Sequence, residues 1–218
     1  MPMQRQVILG AILLALLCVC VEAKAETSAS NQITVDFSKT EEGKTPADFF
    51  TALTGEGGDV SWVVKDKALA QVSTDQTDYR FPLYIYDKVI AKDVEVSVRF
   101  KAVAGEVDRA AGLVVRFADK DNYYITRANA LEDNVRLYKV VKGSRKQFAG
   151  ANAKVSSGEW HSLKLSVKGN HFQLTFDDQL LFEADDATFQ EAGKVGLWTK
   201  ADSVTYFRDF KITNNDVR

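Results

Sequence analysis

The amino-acid sequence predicts an all-β fold, arranged as a two-sheet antiparallel sandwich. After Ile33, apolar residues recur with a period of two, as in the run from Val94 to Phe100, which is typical of strands with one buried and one wet face. Turn-forming residues separate these runs at short intervals, as in antiparallel sandwiches and barrels. At ordinary strand and loop lengths, roughly 12 to 14 strands would fit the chain.

Turn residues mark the ends of several predicted strands. Gly169-Asn170 joins two alternating runs and predicts a two-residue hairpin turn. Lys142-Gly143-Ser144 and Asp177-Asp178 predict two further turns, because glycine and aspartate tolerate the backbone angles of tight turns. Asp186–Glu191 is the segment in which we expect a helical turn.

The final alternating run, Tyr206 to Ile212, has aromatic residues at both parities. Phe207 alternates with Tyr206, and Phe210 has the parity of Tyr206. We therefore expect this strand to be covered on both of its faces.

The first residues of the chain have the pattern of a secretory signal peptide. Arg5 precedes the apolar run Val7–Val21, which is short for a membrane span, and Ala23-Lys24-Ala25 supplies the small residues of a cleavage site. We expect cleavage after Ala25, and an uncleaved membrane anchor is the alternative. The bulky residues before Cys18 and Cys20 argue against a lipoprotein signal.

The predicted signal peptide, residues 1–25, sets the expected domain organisation. We expect residues 26–32 to form a flexible lead-in, residues 33–213 a single domain and residues 214–218 a C-terminal tail. The exported protein would be periplasmic or extracellular, with no stable membrane insertion after cleavage.

Composition excludes several classes of function for the processed chain. Both cysteines, Cys18 and Cys20, lie within the signal peptide, which leaves no disulfide, thiol nucleophile or thiolate metal site. The 28 basic and 30 acidic residues give a net charge of −2 and are interspersed, whereas a nucleic-acid partner needs a concentrated basic face. We therefore expect no nucleic-acid partner.

A series of motifs covers nearly all of the chain after the signal peptide. They are T-G-E-G-G at Thr54–Gly58, D-Y-R-F-P at Asp78–Pro82, A-G-L-V-V-R-F at Ala111–Phe117, D-N-Y-Y-I-T-R-A-N-A at Asp121–Ala130, N-V-R-L-Y-K-V at Asn134–Val140, G-E-W-H-S-L-K-L at Gly158–Leu165 and G-K-V-G-L-W-T-K-A-D-S-V-T-Y-F-R-D-F at Gly193–Phe210. Together they resemble the 3-keto-disaccharide hydrolase-like domain family, within the concanavalin A-like lectin/glucanase jelly rolls. The resemblance implies a single jelly-roll sandwich, whose concave sheet often presents a glycan-binding groove, but one such sandwich hosts lectins, hydrolases and inert modules alike.

One set of side chains has the chemistry of a sugar site, where flat rings face a pyranose and multi-donor groups bracket its hydroxyls. It consists of Arg116, Tyr124, Arg127, Asn129, Trp198, Lys200 and Tyr206, with Asp202 beside them. Arg116 has the opposite parity to Leu113 and Val115, so we expect it on the non-core side of its strand.

Arg127 raises a conflict within this set. It has the parity of Ile125, which predicts a core-side position and therefore a carboxylate partner, Asp202 or Glu132. The alternative to a glycan groove is then an arginine–carboxylate network that ties the two sheets together, and we give both interpretations equal weight.

No assembled catalytic motif is present, so the residues leave open whether the chain is an enzyme. Glu106-Val107-Asp108 is the nearest match to the jelly-roll glycosidase pattern E-x-D-x-x-E, but it lacks the third carboxylate, and we interpret it as a solvated loop. The family resemblance implies action on 3-keto-glycosides, in which the keto group acidifies the neighbouring proton and a base can drive elimination. The base candidates are Asp202, Glu132 and Asp78.

Metal binding has weak candidates only. Asp119 and Asp121 could offer oxygen ligands to a loop calcium, and no other cofactor is evident. His161 and His171 are the only histidines, and two imidazoles without a third ligand make a poor zinc site.

Three hypotheses about function follow from these observations. The first is an exported glycan-binding module, and the second is a hydrolase or lyase that acts on 3-keto-glycosides. The third is a structural or protein-interaction domain of the cell envelope.

Overall fold

The computed structural model describes Met1 and residues 31–216, and within them the chain forms fifteen β-strands and one 3-10 turn, Phe37–Lys39. The strands are β1 Asn31–Val35, β2 Phe49–Gly55, β3 Trp62–Lys65, β4 Ala68–Gln71, β5 Arg80–Ala91, β6 Val94–Ala104, β7 Ala110–Asp119, β8 Asn122–Asn129, β9 Asn134–Val141, β10 Ser144–Asn152, β11 His161–Lys168, β12 His171–Phe176, β13 Gln179–Asp185, β14 Gly193–Trp198 and β15 Val204–Asn214.

The strands form two antiparallel sheets. Sheet A has the order β13-β12-β11-β6-β15-β4-β3, and β1 also pairs with β15. Sheet B has the order β10-β9-β8-β7-β14-β5-β2. Neighbours in both sheets run antiparallel, so the predicted all-β sandwich is confirmed.

The main core lies between the two sheets. Residues of one parity from each strand point into it, such as Val96 and Phe100 of β6, Leu165 of β11, and Tyr84 and Leu197 of sheet B. Along β6 the burial alternates residue by residue, as the period of two predicts. Burial of these side chains supplies most of the driving force for folding.

Sheet B is also apolar on its outer face, the face turned away from sheet A. A second cluster of buried side chains lies there, formed by Phe81, Leu83, Ile85, Ala110, Val114, Phe117, Tyr123, Ile125, Tyr138, Val140 and Trp198. These side chains point to the opposite face of their strands from the side chains of the sandwich core, as the neighbours Leu83 and Tyr84 show. Every strand described in residues 31–216 belongs to one of the two sheets, so no third layer of described strands covers this face.

The predicted turns are confirmed by the backbone. Lys142 and Gly143 have φ values of 50° and 78°, and Asp177 and Asp178 have 45° and 61°. Two consecutive positive φ angles are the requirement of a type I′ hairpin turn, which glycine and aspartate satisfy more readily than other residues. Gly169 likewise turns the chain between β11 and β12.

Two local predictions are wrong. Asp186–Glu191 contains no helical turn and runs as an irregular connection from β13 to β14. β15 is not covered on both faces, because a bulge between Arg208 and Lys211 changes its parity, with Asp209 at φ 56°. Phe207 and Phe210 therefore both point into the core although they are three residues apart.

The predicted signal peptide and most of the lead-in lie outside the described residues. β1 begins at Asn31 and β15 ends at Asn214, and the two pair with each other. In the described residues, no helix has both the length and the apolar composition needed to cross a membrane.

Candidate functional site

The structure divides the predicted sugar-binding set between three places. Arg127, Asn129, Trp198 and Lys200 lie together at one end of the outer face of sheet B. Tyr124 and Arg116 lie elsewhere in the interior, and Tyr206 lies on the outer face of sheet A, so the set does not form one site.

Arg127 is the centre of an ion cluster that we define by Asp78, Asp108, Arg127, Glu132 and Lys200. Its side chain is 5% exposed, and its guanidinium forms a two-pronged contact with Glu132 and lies 3.6 Å from Asp108. Lys200 Nζ lies 3.3 Å from the same Asp108 oxygen and also binds Asp78. The expectation of a carboxylate partner for Arg127 is therefore confirmed for Glu132, but the expected core-side position is wrong, because Arg127 shares the outer face of sheet B with Ile125.

Two asparagines complete the hydrogen bonding of the ion cluster. Asn134 Oδ1 accepts from Arg127 at 3.0 Å, and its amide nitrogen donates to Glu132 at 2.8 Å. Asn129 Nδ2 donates to Asp108 at 2.9 Å. Asn134 comes directly after a turn, so its position beside Arg127 depends on the β8–β9 register, which pairs Asn129 with Asn134.

Asp108 is the central carboxylate of the ion cluster, and the interpretation of Glu106-Val107-Asp108 as a solvated loop holds for the exposed Glu106 and Val107 but is wrong for Asp108. The residue is 1% exposed and lies in the connection between β6 and β7. Asp202, the other carboxylate proposed for Arg127, shapes this connection by accepting hydrogen bonds from the backbone N–H groups of residues 106, 107 and 108. Gly105 has φ 137°, and a Cβ there would lie 1.8 Å from the carbonyl oxygen of Asp108, so the turn requires glycine.

The environment shifts the pKa values of these carboxyl groups in opposite directions. Burial raises the pKa of Asp108, although Arg127 and Lys200 oppose the shift. Burial also acts to raise the pKa of Glu132, but hydrogen bonds from Asn134 and Arg127 outweigh it, and the net pKa is lowered. The hydrogen bond from Lys200 lowers the pKa of Asp78.

Arg145 extends the ion cluster onto the apolar face, and sequence reasoning missed it. Its guanidinium carbon lies 4.6 Å from the ring centres of Phe81 and Tyr138 and 5.7 Å from that of Trp198. Arg127 approaches the ring of Tyr138 at 5.7 Å. The position of Arg145 just after the Lys142-Gly143 turn gave no sign of a functional role in the sequence, because only the sheet register brings its guanidinium over these rings.

Two guanidinium donors in this region are buried without a hydrogen-bond partner among the described residues. They are Arg127 Nε and Arg145 Nη1. A buried donor without an acceptor costs roughly 1–3 kcal/mol, and such groups are uncommon in native proteins. Both belong to side chains that lie over the ring of Tyr138, beside the carboxylates of the ion cluster, so a ligand there could supply acceptors.

Arg116 does not take part in this site, and the expectation that it faces away from the core is wrong. Arg116 has a φ of 48° at a bulge in β7, and its side chain is fully buried. The guanidinium donates to the carbonyl oxygens of Lys92, Gly169 and Phe189. Arg116 therefore joins connections from different strands of the sandwich.

Tyr124 belongs to the sandwich core. Its hydroxyl donates to Asp186 Oδ1 at 2.7 Å and accepts from the backbone N–H of Phe189 at 3.0 Å. Burial raises the pKa of Tyr124 to about 12. The hydroxyl thus fixes the irregular connection that follows β13 and does not face a ligand.

The weak metal candidates are engaged in turns and ion pairs. Asp119 accepts from the backbone of Asp121 and from the side chain of Asn122, and Asp121 pairs with Lys120. The described residues contain no group of three histidine, cysteine, aspartate or glutamate side chains placed to hold a metal.

The two histidines lie at opposite ends of their hairpin. The register pairs His161 with Phe100 and His171 with Lys168. His161 Nδ1 lies 2.7 Å from Asp177, and His171 Nδ1 lies 3.0 Å from Asp185, so each imidazole has its own carboxylate partner.

Comparison with known proteins places this geometry in context. The model of a family described as the 3-keto-alpha-glucoside-1,2-lyase-like domain matches residues 36–213. A levanase from Bacillus subtilis (strain 168) is 31% identical over 91 residues, which are 41% of this chain and 13% of the levanase. The chain thus spans about an eighth of that enzyme's length.

Two solved structures share the fold. The carbohydrate-binding module CBM66 from Bacillus subtilis is 23% identical with a TM-score of 0.63, over 75% of this chain and 94% of the module. The exoplasmic/lumenal domain of VIP36, in its Ca²⁺/Man3GlcNAc-bound form, is 12% identical with a TM-score of 0.58, over 78% of this chain and 85% of that domain.

Proposed function

Because the chain belongs to the 3-keto-alpha-glucoside-1,2-lyase-like domain family, we propose that it is an exported carbohydrate-binding module whose sugar site is the ion cluster on sheet B. One observation carries this proposal. The buried donors Arg127 Nε and Arg145 Nη1 lack partners in residues 31–216, beside carboxylates that accept hydrogen bonds.

A sugar hydroxyl both donates and accepts, so it needs a site that offers both functions. Glu132 and Asp78 are 50% and 76% exposed and can accept from hydroxyl groups at the rim of the ion cluster. Arg127 and Arg145 can donate from its floor, and Tyr138 offers a ring edge between them. Few placed polar groups against an apolar wall are typical of small-ligand sites.

The similar proteins support a carbohydrate ligand. CBM66 is a carbohydrate-binding module by name, and VIP36 was solved with Man3GlcNAc. The levanase match covers a short part of that enzyme. At these identities the likeness shows the shared fold, so the ligand class rests on the ion cluster.

Calorimetry with neutral and charged oligosaccharides, with and without calcium, tests the proposal. We expect binding that Arg145→Ala and Glu132→Gln each weaken about tenfold, as loss of a charged hydrogen bond predicts. Lys146→Ala is the matched control, because Lys146 is exposed on the same strand as Arg145. A panel without any binding, or unchanged binding in both variants, would refute the proposal.

A lyase acting on 3-keto-glycosides is the second candidate function. Among the carboxylates, Asp108 is favoured as its base because the pKa of Asp108 is raised. A base that abstracts the proton beside a keto group works best with a raised pKa, and burial raises that of Asp108. Asp202 is occupied by three backbone N–H groups, while Glu132 and Asp78 have lowered pKa values. Arg127 and Lys200 would steady the enolate oxygen.

Release of glucose from a 3-keto-disaccharide tests this second candidate. The lyase hypothesis requires that the protein release glucose faster than the uncatalysed reaction. It also requires that Asp108→Asn abolish this enhancement while the circular dichroism spectrum is retained. A rate equal to the buffer control would leave the binding function alone.

A further inference from the structure

The outer face of sheet A carries a second group of side chains, whose rows follow from the strand register. Arg208 of β15 lies opposite Arg99 of β6, and Arg99 lies opposite Ser162 of β11. Ser162 in turn is linked to the turn between β12 and β13, because its backbone N–H donates to Asp177 Oδ1 at 2.9 Å. One row of outward-facing groups therefore runs from two arginines to an aspartate.

Trp160 stands beside this row and is surrounded by cations. The guanidinium carbon of Arg208 lies 3.9 Å from the ring centre, Lys101 Nζ lies 5.2 Å away and the Arg99 guanidinium 5.9 Å. Trp160 is half-buried, so the indole is available at the surface of the sheet. Cations over an indole face are attracted by about 0.5–1 kcal/mol each at exposed sites.

The positive charges in this group are poorly neutralised. In the described part of the chain, the ion-pair partner of Arg208 is its sequence neighbour Asp209, at 3.9 Å. The nearby Glu95 pairs with Lys164 instead. Arg208 Nε is buried without a hydrogen-bond partner there. Like charges directly opposite each other across an antiparallel pair are destabilising, so the pairing of Arg99 with Arg208 costs stability unless an anion joins them.

An open groove of about 720 Å³ lies beside these cations and is lined by side chains of both charges. Arg99, Lys164, Lys211 and Trp160 line it together with Asp177, Asp178 and Asp209, and Arg208 adjoins it through its contact with Trp160. The bulge that changes the parity of β15 turns Asp209 outward at φ 56°. Bulges of this kind commonly re-aim a side chain at a functional surface.

We propose that this groove binds an acidic sugar, with the sugar's carboxylate or sulfate between Arg99 and Arg208. Trp160 would pack against the sugar ring, and Asp177 and Asp209 would accept from its hydroxyl groups. The three carboxylates that line the groove repel a polyanion such as nucleic acid or an anionic membrane, so charge complementarity favours a ligand with one anionic group and several hydroxyls. This site is separate from the ion cluster and does not depend on sugar binding there.

Galacturonic acid and its neutral methyl ester form a matched pair of probes, with tryptophan fluorescence and calorimetry as readouts. We expect the acid to bind, the ester to bind about tenfold more weakly, and added salt to weaken the acid alone. Arg99→Gln and Arg208→Gln should each weaken the acid about tenfold, because each removes one charged hydrogen bond.

Two controls separate this site from the ion cluster. Lys65→Gln changes an exposed cation of β3 in the same sheet and should leave acid binding unchanged. Arg145→Ala should also leave it unchanged, so failure of the ion cluster as a sugar site does not affect the result. Equal binding of acid and ester, no binding of either, unchanged binding in Arg99→Gln and Arg208→Gln, or complete competition by DNA or anionic vesicles would each overturn the proposal.

Discussion

The outer faces of the two sheets use similar residues with opposite results. On sheet B, Trp198 is fully buried beside Arg145 in an apolar layer, and the neighbouring Arg127 is bound by carboxylates. On sheet A, Trp160 is half-buried among three cations, and two of them oppose each other. An arginine beside a tryptophan therefore says little about function until its carboxylate partners are known.

The difference follows from where the carboxylates lie. Asp108 is brought under Arg127 by the connection between β6 and β7, whereas on sheet A Arg208 pairs only loosely with Asp209, at 3.9 Å, and Arg99 forms no ion pair within the described residues. A buried charge must be paired to be tolerated, but an exposed charge can remain unpaired in water. Sheet B thus combines structural ion pairs with a few unpartnered donors, and sheet A offers unpaired charge.

The two tryptophans provide the largest expected contrast. Trp198→Ala should lower the free energy of unfolding by about 3–5 kcal/mol, because it empties a fully buried site, and Trp160→Ala by about 1 kcal/mol. Urea unfolding of both variants measures the contrast. Equal losses would contradict the assignment of one ring to the interior and the other to the surface.

Removing a carboxylate from each face should give the next largest contrast. Asp108→Ala leaves Arg127 and Lys200 without their shared partner and should cost about 3 kcal/mol, as for a broken buried ion pair. Asp209→Asn removes an exposed charge of sheet A with a residue that tolerates the positive φ at this position, and should change stability by about 0.5 kcal/mol or less. The midpoints of guanidinium unfolding measure the loss of stability in both variants. A small effect at Asp108 would contradict the structural role assigned to the ion cluster.

Acid should act on the sheet B face through Glu132. Its folded pKa is lowered, so it contributes stability above the ordinary glutamate pKa, and this contribution is lost as the pH falls through the lowered value. Since the side chain is half exposed, Glu132→Gln should cost about 0.5 kcal/mol at pH 7 and nothing at strongly acidic pH. Urea unfolding across this pH range checks the sign, and a cost that is independent of pH would contradict it.

The smallest expected effect has the opposite sign. Arg99→Gln removes the like charge opposite Arg208, and because Arg99 lies 5.9 Å from the Trp160 ring, at the limit of cation–π attraction, the lost repulsion should dominate and stabilise the unliganded protein by about 0.3 kcal/mol at low salt. High salt should abolish the gain because it screens the repulsion between exposed charges. Thermal unfolding at two salt concentrations tests this, with Lys65→Gln as the control for the loss of one surface cation.

Local patterns predicted much of the fold and less of the site. The alternation in β6 and the turns at Lys142-Gly143 and Asp177-Asp178 depend on neighbours in the chain, so they were readable. The parity of β15 was misread because one extra residue at its bulge reverses every later side chain. Of the ion cluster, Asp78, Arg127, Glu132 and Lys200 were candidates named from the sequence, and the pairing of Arg127 with Glu132, five residues apart in the chain, was among the predicted contacts.

The remaining members of the site required contacts between distant segments. Asp108 was taken for a solvated residue because its burial depends on Asp202, which lies 94 residues away and holds its backbone N–H. Arg145 was not recognised because its ring partners Phe81 and Trp198 lie on other strands. No local pattern encodes such neighbours.

By itself, the sequence determined the class of fold, the position of most turns and the resemblance that led to the family, because these depend on side-chain period and local backbone preference. Only the tertiary structure decided which charges are paired and which face holds which tryptophan. The physical reason is that the pairing of a charge depends on atoms within a few ångströms in space, and in this sandwich those atoms come from strands far apart in the chain.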